Sequence, residues 1–434
     1  MSITQFTMEE VRCFGERQTL EIRPLTFLVG ENSTGKTTAL ACFHVLANYL
    51  QGDGVDFNST PYSMGTFKDI VRNNKKKEKN FKLGFTAKYN NEDIKKIIQF
   101  IEKKSGVEPV VNSITMKLAD GEIIVQSEDE MGRELRLDFF DEEQNRYRIV
   151  CDTDRLNEYS LFFFFPPFTR ESEGEITFKK YFHKKTNKLE CGPWDIFREV
   201  SVFSTSPVRS RPKRTYDPTR EFDDPEGSDV PMYLMRVEAI EKQNWEALKT
   251  QLVQFGRNSG LFENIDVKNF GRSLGAPFQL QVKVRGPKAN ITDVGYGVSQ
   301  ILPILVQILN PSISKNAQRD PMRSFFSLFQ QPEIHLHPKA QAEFSSLLAK
   351  LASQTNQSFI VETHSDYMLD RARIEIRKGN IRPEDVSLIY FEPKRNIVNV
   401  HNISFDKMGN MEGVPPHYRD FFLKESKRLM GFED

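Results

Sequence analysis

The fold is decided by Pro24 to Thr38, whose sequence is PLTFLVGENSTGKTT. An apolar run from Leu25 to Val29 leads into Gly30, and four residues separate that glycine from Gly35-Lys36-Thr37. Residues 38–43 then read TALACF, a composition that suits the start of a helix. The stretch therefore predicts a strand, a glycine-bounded loop and a helix, and it fits the GxxxxGK[ST] pattern of a P-loop.

The residue types in this loop are those that phosphate binding requires. Gly30 and Gly35 let the backbone curl so that its N–H groups point at phosphate oxygens, and the helix N-terminus adds partial positive charge. Lys36 can reach the β- and γ-phosphates, and the Thr37 hydroxyl can ligate Mg²⁺. A glycine turn without a ligand is the weaker alternative, because a strand precedes the loop and a helix follows it. The predicted nucleotide contacts are Gly30, Glu31, Asn32, Ser33, Thr34, Gly35, Lys36, Thr37 and Thr38.

Composition excludes several classes of protein. The 434 residues include 60 Lys and Arg against 60 Asp and Glu, so no global field attracts nucleic acid or a membrane surface. No stretch approaches the ~20 apolar residues of a membrane span, and the N-terminus resembles neither a signal nor a transit peptide. The four cysteines are scattered without a CxxC pair, which suits a reducing compartment. We therefore expect a cytoplasmic protein with no membrane partner.

Periodicity gives a coarse element map. Alternating apolar residues predict strands over Ile3 to Val11, Gln18 to Ile22 and Phe81 to Tyr89, whereas Asn91 to Lys104 is typical of a helix. Residues 112–190 alternate repeatedly, which indicates a β-rich insertion.

The second half of the chain shows a similar mixture. Tyr233 to Phe255 is typical of one amphipathic helix, and Tyr418 to Met430 of a terminal helix. Short apolar runs predict strands over Phe278 to Val284, Phe325 to Phe329 and Ser358 to Glu362.

Several polar segments leave alternatives open. Lys75 to Lys79 is either a solvated loop or a phosphate contact. Residues 203–231 carry Arg209, Arg214 and Arg220 among prolines, and they form either a surface linker or an arginine-bearing loop near a nucleotide or a partner. His335 and His337 invite a metal interpretation, which is weak because no cysteine or third imidazole lies nearby.

The segment from Asp293 to Gln300, DVGYGVSQ, is a glycine turn that opens an apolar helix. A helix N-terminus of this kind can face an anion. Alternatively, Ser299 is only the N-cap of the helix.

Five stretches carry a family resemblance. They stand in the order GENSTGKTT (30–38), DVGYGVSQ (293–300), SLFQQPE (327–333), HLHP (335–338) and ETHSD (362–366). The order resembles the ABC-type AAA ATPase heads of the SMC, Rad50 and RecF kind. The likeness is closer to the ATPase modules of the OLD and Gabija type and to the free-standing ATPase subunits of antiphage systems such as PARIS and Septu.

The resemblance covers about two-thirds of the chain and implies an α/β fold. We expect an ABC-type P-loop NTPase head with a mixed sheet and helices over residues 1–73 and 200–434. Residues 74–199 are expected to form an inserted α+β segment, a candidate partner-binding region with many strands.

The resemblance also implies cofactors, partners and residue roles. Residues 30–38 of one subunit would hold ATP and Mg²⁺, with Thr37 as a metal ligand. Ser299, with Gly295 and Gly297, matches the ABC signature and would cap the γ-phosphate bound to another subunit. His364 matches the switch histidine that senses the γ-phosphate. The implied assembly is an ATP-sandwich homodimer or a higher even-numbered assembly.

One departure from the family pattern concerns hydrolysis. Where the family has an acidic residue that orders Mg²⁺, followed by Glu or Gln, this chain has Gln330 and Gln331. An amide carries no charge to hold a cation or activate water. Either the natural protein is a slow or inactive ATPase used as a switch, or Gln330 replaces a Glu in a form that binds ATP without hydrolysing it. The second is favoured because the other motifs are intact; Glu333, past Pro332, is not a confident substitute.

OLD- and Gabija-type proteins continue into a Toprim nuclease domain rich in carboxylates, and no such cluster is present here. The sequence therefore predicts an ATP-driven switch or scaffold that controls a separate effector, a nuclease or toxin, in antiphage defence. The alternative is a DNA-repair ATPase that clamps DNA directly through Lys75 to Lys79 and the arginines from Arg209 to Arg220. The net charge of zero and the lack of long heptad segments weigh against it.

Overall fold

A seven-stranded mixed sheet forms the centre of the molecule. The computed structural model describes residues 2–51, 54–74, 79–89, 92–102, 107–118, 121–127, 134–141, 146–152, 168–170, 176–178, 200–218, 224–271, 275–310, 324–416, 418 and 427–431. In spatial order the strands of the central sheet are β12 (Val200–Thr205), β16 (Ser324–Gln330), β17 (Gln357–Glu362), β3 (Leu25–Gly30), β18 (Val386–Lys394), β19 (Ile397–Phe405) and β20 (Met411–Glu412). The first five are parallel and the last two antiparallel. The carboxyl ends of β16, β17 and β3 therefore meet at one edge, where α/β sheets bind their ligands.

An eight-stranded antiparallel sheet lies beside the central one. Its strands, in spatial order, are β2 (Gln18–Glu21), β1 (Ser2–Glu9), β4 (Asn80–Tyr89), β5 (Glu92–Glu102), β6 (Pro109–Leu118), β7 (Gly121–Ser127), β8 (Glu134–Asp141) and β9 (Arg146–Asp152). Because β4 pairs with β1, the segment from residue 74 extends a sheet that begins at the N-terminus. The domain boundaries at residues 73 and 200 stay a prediction.

Two smaller antiparallel sheets complete the strands of the described residues. They are β13 (Asn264–Asn269) with β14 (Phe278–Lys283) and β15 (Ala289–Asn290), and β10 (Phe168–Arg170) with β11 (Ile176–Phe178). The α-helices are α1 (Lys36–Gln51), α2 (Phe67–Ile70), α3 (Val230–Ile240), α4 (Lys242–Ser259), α5 (Tyr296–Leu309), α6 (Pro338–Gln354) and α7 (Asp366–Arg377). Short 3₁₀ turns cover Ile291–Asp293 and Pro383–Asp385.

Alternation along β3 divides the core into two layers. Leu25, Phe27 and Val29 face a cluster built with α3 to α7, whereas Leu28 faces a second cluster built with α1 and the antiparallel sheet. This follows from the period of two in a strand. Phe43 of α1 joins the sheets, because its ring lies 5.4 Å from that of Phe6, 4.8 Å from that of Phe85 and 5.2 Å from that of Phe326. Helix α1, and with it the P-loop, is held between the two sheets.

This architecture confirms the predicted fold class, an α/β P-loop NTPase head of the ABC type with a mixed sheet, helices and a β-rich addition. The strands predicted over Ile3 to Val11, Gln18 to Ile22 and Phe81 to Tyr89 are confirmed by β1, β2 and β4. Within the described residues, no helix is long and apolar enough to cross a membrane.

The helix predicted over Asn91 to Lys104 is wrong, because Glu92–Glu102, the described part of this range, forms β5. Ile94, Ile97, Ile98 and Ile101 have the i, i+3, i+4, i+7 spacing of a helix face, which explains the error. In the structure Ile94, Ile98 and Phe100 are buried opposite Ala87, Leu83 and Phe81 of β4. Cross-strand pairing and the β-branched isoleucines decide the outcome. The described part of residues 74–199 contains strands only, so the α part of the expected α+β segment is not found there.

Two other helix predictions also differ from the structure. The single helix expected over Tyr233 to Phe255 is two, because Glu241 leaves the helical region with φ −114° and ψ 57°. Glu241 stands where a continuous apolar stripe would need an apolar residue, although its N–H still donates to Val237 O and its carbonyl oxygen accepts from Trp245 N, both at 2.9 Å. Most of the terminal helix expected over Tyr418 to Met430 lies outside the described residues.

A buried histidine on α1 makes the fold sensitive to acid. His44 is 7% exposed; its Nδ1 lies 2.8 Å from Ser204 Oγ and its Nε2 lies 3.0 Å from Asn48 Nδ2. Burial lowers the pKa of His44 from 6.5 to about 4. The folded state thus resists protonation that the unfolded chain accepts, and the resulting stability is lost as pH falls from 6.5 towards 4.

We expect His44 to remove about 2 kcal/mol of unfolding free energy between pH 7 and pH 5, because only the unfolded state is protonated there. Urea unfolding at both pH values measures it, and His44→Gln should lose less stability over this range than the parent. His401→Gln, at an imidazole that is only partly buried, serves as the control. Equal pH dependence in the parent and His44→Gln would contradict the assignment.

Candidate nucleotide-binding site

The P-loop adopts a conformation that its glycines make possible. Gly30 and Gly35 have φ of 146° and 84°, values that L side chains rarely adopt. A Cβ at Gly30 would lie 2.7 Å from the Phe391 carbonyl oxygen, and one at Gly35 would lie 2.7 Å from Cys13 Sγ. The turn after β1, which contains Cys13, thus packs against the P-loop and leaves no room for a side chain at Gly35.

Lys36 is the cation of the loop. Its Nζ donates to the carbonyl oxygens of Gly30 at 3.0 Å and of Glu31 at 2.6 Å, and the residue is 3% exposed. Burial lowers the pKa of Lys36, and the carboxylates of Glu362 and Glu31 oppose this effect. The ammonium is therefore held across the loop, where a phosphate would meet it.

The other predicted nucleotide contacts form two groups, those with exposed side chains and those with side chains bonded to neighbouring protein groups. Glu31, Asn32, Ser33 and Thr37 are exposed on the loop surface. The Thr34 hydroxyl instead donates to Glu31 O at 2.8 Å, and Thr38 Oγ1 accepts from Arg12 Nη1 at 3.2 Å. Thr34 and Thr38 therefore shape the loop with their side chains, so their predicted nucleotide contacts would be made by the backbone.

A carboxylate that the sequence analysis did not single out lies beside Thr37. Glu362 is the last residue of β17, is 6% exposed, and accepts a hydrogen bond of 2.8 Å from Thr37 Oγ1 at Oε2. Burial raises the pKa of Glu362, while the Thr37 hydrogen bond and the charge of Lys36 lower it. An acidic residue that ends a strand next to the P-loop strand is the signal that could have identified it.

Gln330 and Gln331 lie at the same edge. Gln330 ends β16 directly opposite Glu362 in the parallel register and is 6% exposed. Gln331 is half-buried with φ of 42°, and its N–H donates to Glu362 O at 2.8 Å. Both amides thus lie at or just after the carboxyl end of β16, which β17 separates from the P-loop strand β3, and their role at a nucleotide stays a prediction.

His364 follows on the neighbouring segment with an exposed side chain. Partial burial lowers the pKa of His364, and the positive charge of Lys36 lowers it further. His364 follows two residues after Glu362, whose carboxylate accepts from Thr37, so the chain brings it to the same end of the sheet as the P-loop. Its role stays a prediction.

Glu333 anchors the His364 segment rather than the metal position. Its Oε1 accepts from Thr363 Oγ1 at 2.7 Å and from His364 N at 2.8 Å, and its Oε2 has no hydrogen-bond partner among the described residues. Burial raises the pKa of Glu333. Its carboxylate therefore orders residues 363–364.

Arg209, one of the arginines of the 203–231 segment, is buried in the structure. It is 1% exposed, and its guanidinium donates from Nε to Gln300 O at 3.0 Å, from Nη1 to Pro207 O at 3.1 Å and from Nη2 to Pro332 O at 3.4 Å. Burial lowers the pKa of Arg209 to about 10, and the charge of Glu333 opposes this effect. Arg209 thus joins the start of α5 to the segment after Gln331, and it cannot contact DNA.

The remaining basic residues of these segments have varied positions. Arg214 forms a two-pronged ion pair with Asp293, in which Nη1 lies 3.0 Å from Oδ2. Arg220 and residues 75–78 of the lysine run lie outside the described residues.

The signature segment packs against the HLHP loop. A Cβ on buried Gly297 would lie 2.6 Å from His335 O, so this glycine permits a close approach of two backbones. Gly295, which is exposed, is the N-cap of α5, and the alternative that Ser299 is the N-cap is therefore wrong. Ser299 is 6% exposed and its hydroxyl donates to Tyr296 O at 2.8 Å. To reach a phosphate this hydroxyl would have to turn away from its own helix.

The two histidines of HLHP have structural roles. His335 is exposed with φ of 69°, and its ring meets that of Tyr296 edge-on with centroids 4.8 Å apart. His337 is the N-cap of α6, where its Nδ1 accepts from Ala340 N at 3.4 Å. In the described part of the chain, no group of three or more His, Cys, Asp or Glu could hold a metal ion. A Mg²⁺ site in a nucleotide enzyme needs fewer protein ligands, because phosphates and waters supply the rest.

Sequence comparison identifies the family. Residues 25–370 match the family described as "AAA domain, putative AbiEii toxin, Type IV TA system". The chain belongs to this AAA domain family. The matched range runs from the P-loop strand to α7 and includes Gln330 and His364. AAA domain ATPases bind nucleotide and typically use Mg²⁺. Thr37 and Glu362 are oxygen donors that fit that ion.

Solved structures similar to this AAA domain protein are SMC heads. An SMC head bound to the C-winged helix domain of ScpA is 13% identical, with 94% of this chain and 99% of that chain covered and a TM-score of 0.43. The SMC head domain from Thermotoga maritima is 10% identical, covering 92% and 98%, with a TM-score of 0.40. A Pyrococcus furiosus SMC head with an extended coiled coil, bound to the C-terminal domain of ScpA, is 9% identical, covering 99% and 98%, with a TM-score of 0.41. No curated protein matches the chain.

Proposed function

We propose that this AAA domain protein is an ATP-dependent switch or scaffold that closes around ATP with a second copy of itself. In the closed state it controls a separate effector, a nuclease or toxin, in antiphage defence, as its resemblance to the OLD, Gabija, PARIS and Septu ATPases implies. The observation that carries the proposal is the meeting of Lys36, Thr37 and Glu362 with the amides of Gln330 and Gln331 at one sheet edge.

The amides favour holding ATP over turning it over. A glutamine can position a water by hydrogen bonding, but it cannot take the proton that a general base removes. A site that binds phosphate and hydrolyses slowly keeps ATP bound for longer. Since ATP that bridges two subunits binds the closed state better than the open one, its residence sets how long the closed state persists.

Closure would bring a second copy to the start of α5, where Gly297 packs on the HLHP loop of its own subunit and the Ser299 hydroxyl donates to Tyr296 O. Gly295 and Tyr296 are exposed at the start of α5, and Tyr296 is 38% exposed. This end of α5 is the surface that would meet the nucleotide of another subunit in a homodimer or a higher even-numbered assembly.

Light scattering tests the assembly directly. We expect the molar mass to double, or to rise to another even multiple, when ATP and Mg²⁺ are added, and to fall again with ADP. Nucleotide titration by fluorescence runs in parallel. A chain that binds ATP but keeps its mass would rule out the switch by closure, and one that binds no ATP would rule out the whole proposal. The gene next to this one supplies the first effector to test for ATP-controlled association.

Replacing the amide of Gln330 with a carboxylate tests whether this residue limits ATP hydrolysis. If Gln330 stands where a Glu is needed, Gln330→Glu should raise phosphate release by about 10²–10⁴-fold, the range that general acid–base catalysis provides. Gln331→Glu and the double substitution establish which position activates water. Gln254→Glu, on an exposed face of α4, is the matched control and should leave the rate unchanged.

The outcome also decides the origin of the glutamine. A large increase in turnover would support a form in which Gln330 has replaced a native Glu and ATP is trapped. Unchanged turnover in the single and double variants would indicate a pseudo-ATPase with a native Gln330, and would contradict the idea that these amides limit the rate.

DNA clamping, the alternative function, loses part of its support because Arg209 is buried. ATPase rates with and without duplex DNA over a salt series separate the two functions. Strong stimulation that falls steeply with salt would favour DNA clamping, since phosphate contacts release counterions.

A further inference from the structure

The nucleotide site lacks a carboxylate at the positions where its family usually has one. Mg²⁺ is a hard cation that proteins bind through one or two carboxylates, with phosphates and waters completing the octahedron. Gln330 and Gln331 offer only neutral amide oxygens. A Mg²⁺ ion at this P-loop therefore needs a carboxylate from another part of the chain.

Glu362 is the carboxylate placed to supply it. Its Oε2 lies 2.8 Å from Thr37 Oγ1, the hydroxyl of the P-loop that Mg²⁺ would share with the phosphates. Strand β17 lies between β16 and β3, and Glu362 is paired with Gln330 on one side and with Leu28 on the other. The carboxylate thus stands one strand nearer to the P-loop than the amide of Gln330.

Other carboxylates near the site are engaged elsewhere or face solvent. Glu333 uses Oε1 to hold Thr363 and His364. Glu31 is exposed on the outer part of the loop, and its carbonyl oxygen, not its carboxylate, is the group that accepts from Lys36. Glu362 alone among these three is hydrogen-bonded to the predicted metal ligand.

We propose that Glu362, at the end of β17, supplies the carboxylate of the Mg²⁺ site in place of an acidic residue at position 330. The inference rests on the proposed binding of ATP with Mg²⁺ at this P-loop. In the structure the carboxylate of Glu362 accepts a hydrogen bond from the Thr37 hydroxyl. The lone pairs of that hydroxyl oxygen are therefore free to face a cation. The buried position of the carboxylate keeps it oriented before nucleotide arrives.

The test separates metal binding from nucleotide binding. Mn²⁺ replaces Mg²⁺ as the probe, with the non-hydrolysable analogue AMP-PNP, and the free Mn²⁺ signal is read by electron paramagnetic resonance. We expect Glu362→Gln to weaken Mn²⁺ binding in the presence of AMP-PNP by about 10–100-fold, the usual cost of losing a group that supports a metal. AMP-PNP affinity in EDTA should change by less than about threefold, because the phosphate contacts of Lys36 remain.

Three further variants make the test specific. Gln330→Glu in the Glu362→Gln background returns a carboxylate to the neighbouring strand end and should recover most of the Mn²⁺ affinity. Glu384→Gln, at a side chain that is 64% exposed, is the matched control and should leave Mn²⁺ binding unchanged. Glu362→Asp keeps the charge and shortens the side chain, so its Mn²⁺ affinity should fall between those of the parent and Glu362→Gln.

The outcomes distinguish this inference from the function on which it rests. If the parent binds no AMP-PNP with or without metal, the proposed function fails and the inference fails with it. If the parent binds Mn²⁺ together with AMP-PNP and folded Glu362→Gln binds both equally well, the function stands and the role of Glu362 is overturned. Should Glu362→Gln not fold, Glu362→Asp decides alone, and parent-like Mn²⁺ affinity in that variant would count against the inference.

Discussion

Lys36→Ala is expected to weaken ATP binding by about 100-fold or more, because a charged hydrogen bond to phosphate contributes ~1.5–3 kcal/mol and a P-loop lysine at this position would reach both the β- and the γ-phosphate. The ammonium is already held across the loop by the carbonyl oxygens of Gly30 and Glu31. Little conformational entropy is therefore lost when a phosphate takes their place. Titration with a fluorescent ATP analogue measures the change, and light scattering should show no ATP-dependent increase in mass.

The fold should survive this substitution. The two carbonyl oxygens that lose their donor belong to the loop, whose outer part from Glu31 to Ser33 is exposed to water. Lys68→Ala, at a side chain that is 78% exposed on α2, is the control and should bind ATP like the parent. Near-parent ATP affinity in folded Lys36→Ala would refute nucleotide binding at this loop, and with it the proposed switch.

Arg209→Met is expected to lower the free energy of unfolding by ~3–5 kcal/mol, because a buried acceptor left without its donor costs about 1–3 kcal/mol. Four backbone oxygens lose a donor at once, those of Gln300, Ser206, Pro207 and Pro332. Glu333 also loses the positive charge that lies near it. Urea unfolding measures the loss. Arg209→Lys should recover little of it, because one ammonium cannot reproduce the geometry of a planar guanidinium.

The control for this variant is Arg211→Met. Arg211 is exposed two residues away, so its substitution should change stability by less than ~0.5 kcal/mol. Equal stability losses at the two positions would show that Arg209 is not the anchor that its burial indicates. If Arg209→Met stays folded, its ATP affinity should be less affected than its ATP-dependent mass change, since Arg209 joins α5 to the Pro332 segment and does not touch the P-loop.

Local signals in the sequence were sufficient for the P-loop and for the strands and helices around it. Gly30, Gly35, Lys36 and Thr37 stand within eight residues, and their role depends on a backbone shape that the same residues create. The order of the motifs in a known family also predicts that Gln330 and His364 act at that loop, and both follow strands of the central sheet whose carboxyl ends lie at one edge with that of β3.

The role of Glu362 could not be read in the same way. It depends on β17 lying directly beside β3, and residues more than 300 positions apart decide that pairing. Arg209 was concealed for a related reason. A basic, proline-containing segment reads as surface, yet Arg209 is covered by α5 and by the Pro332 segment. The spacing of Ile94, Ile97 and Ile98 caused a different error. It predicts a helix, but pairing with β4 makes this segment a strand.

The strand order of the central sheet has a consequence for biosynthesis. Strand β3 is made early, but its two neighbours, β17 and β18, begin at Gln357 and Val386. At roughly 5–20 residues per second, a ribosome that has finished β3 needs about 20–60 s to deliver β17. During that interval the first half of the antiparallel sheet and α1 can fold on local contacts, whereas both edges of β3 lack their permanent partners. A nascent chain thus carries Lys36 and Thr37 long before Glu362 exists, and the complete Mg²⁺–ATP site is one of the last features of the protein to form.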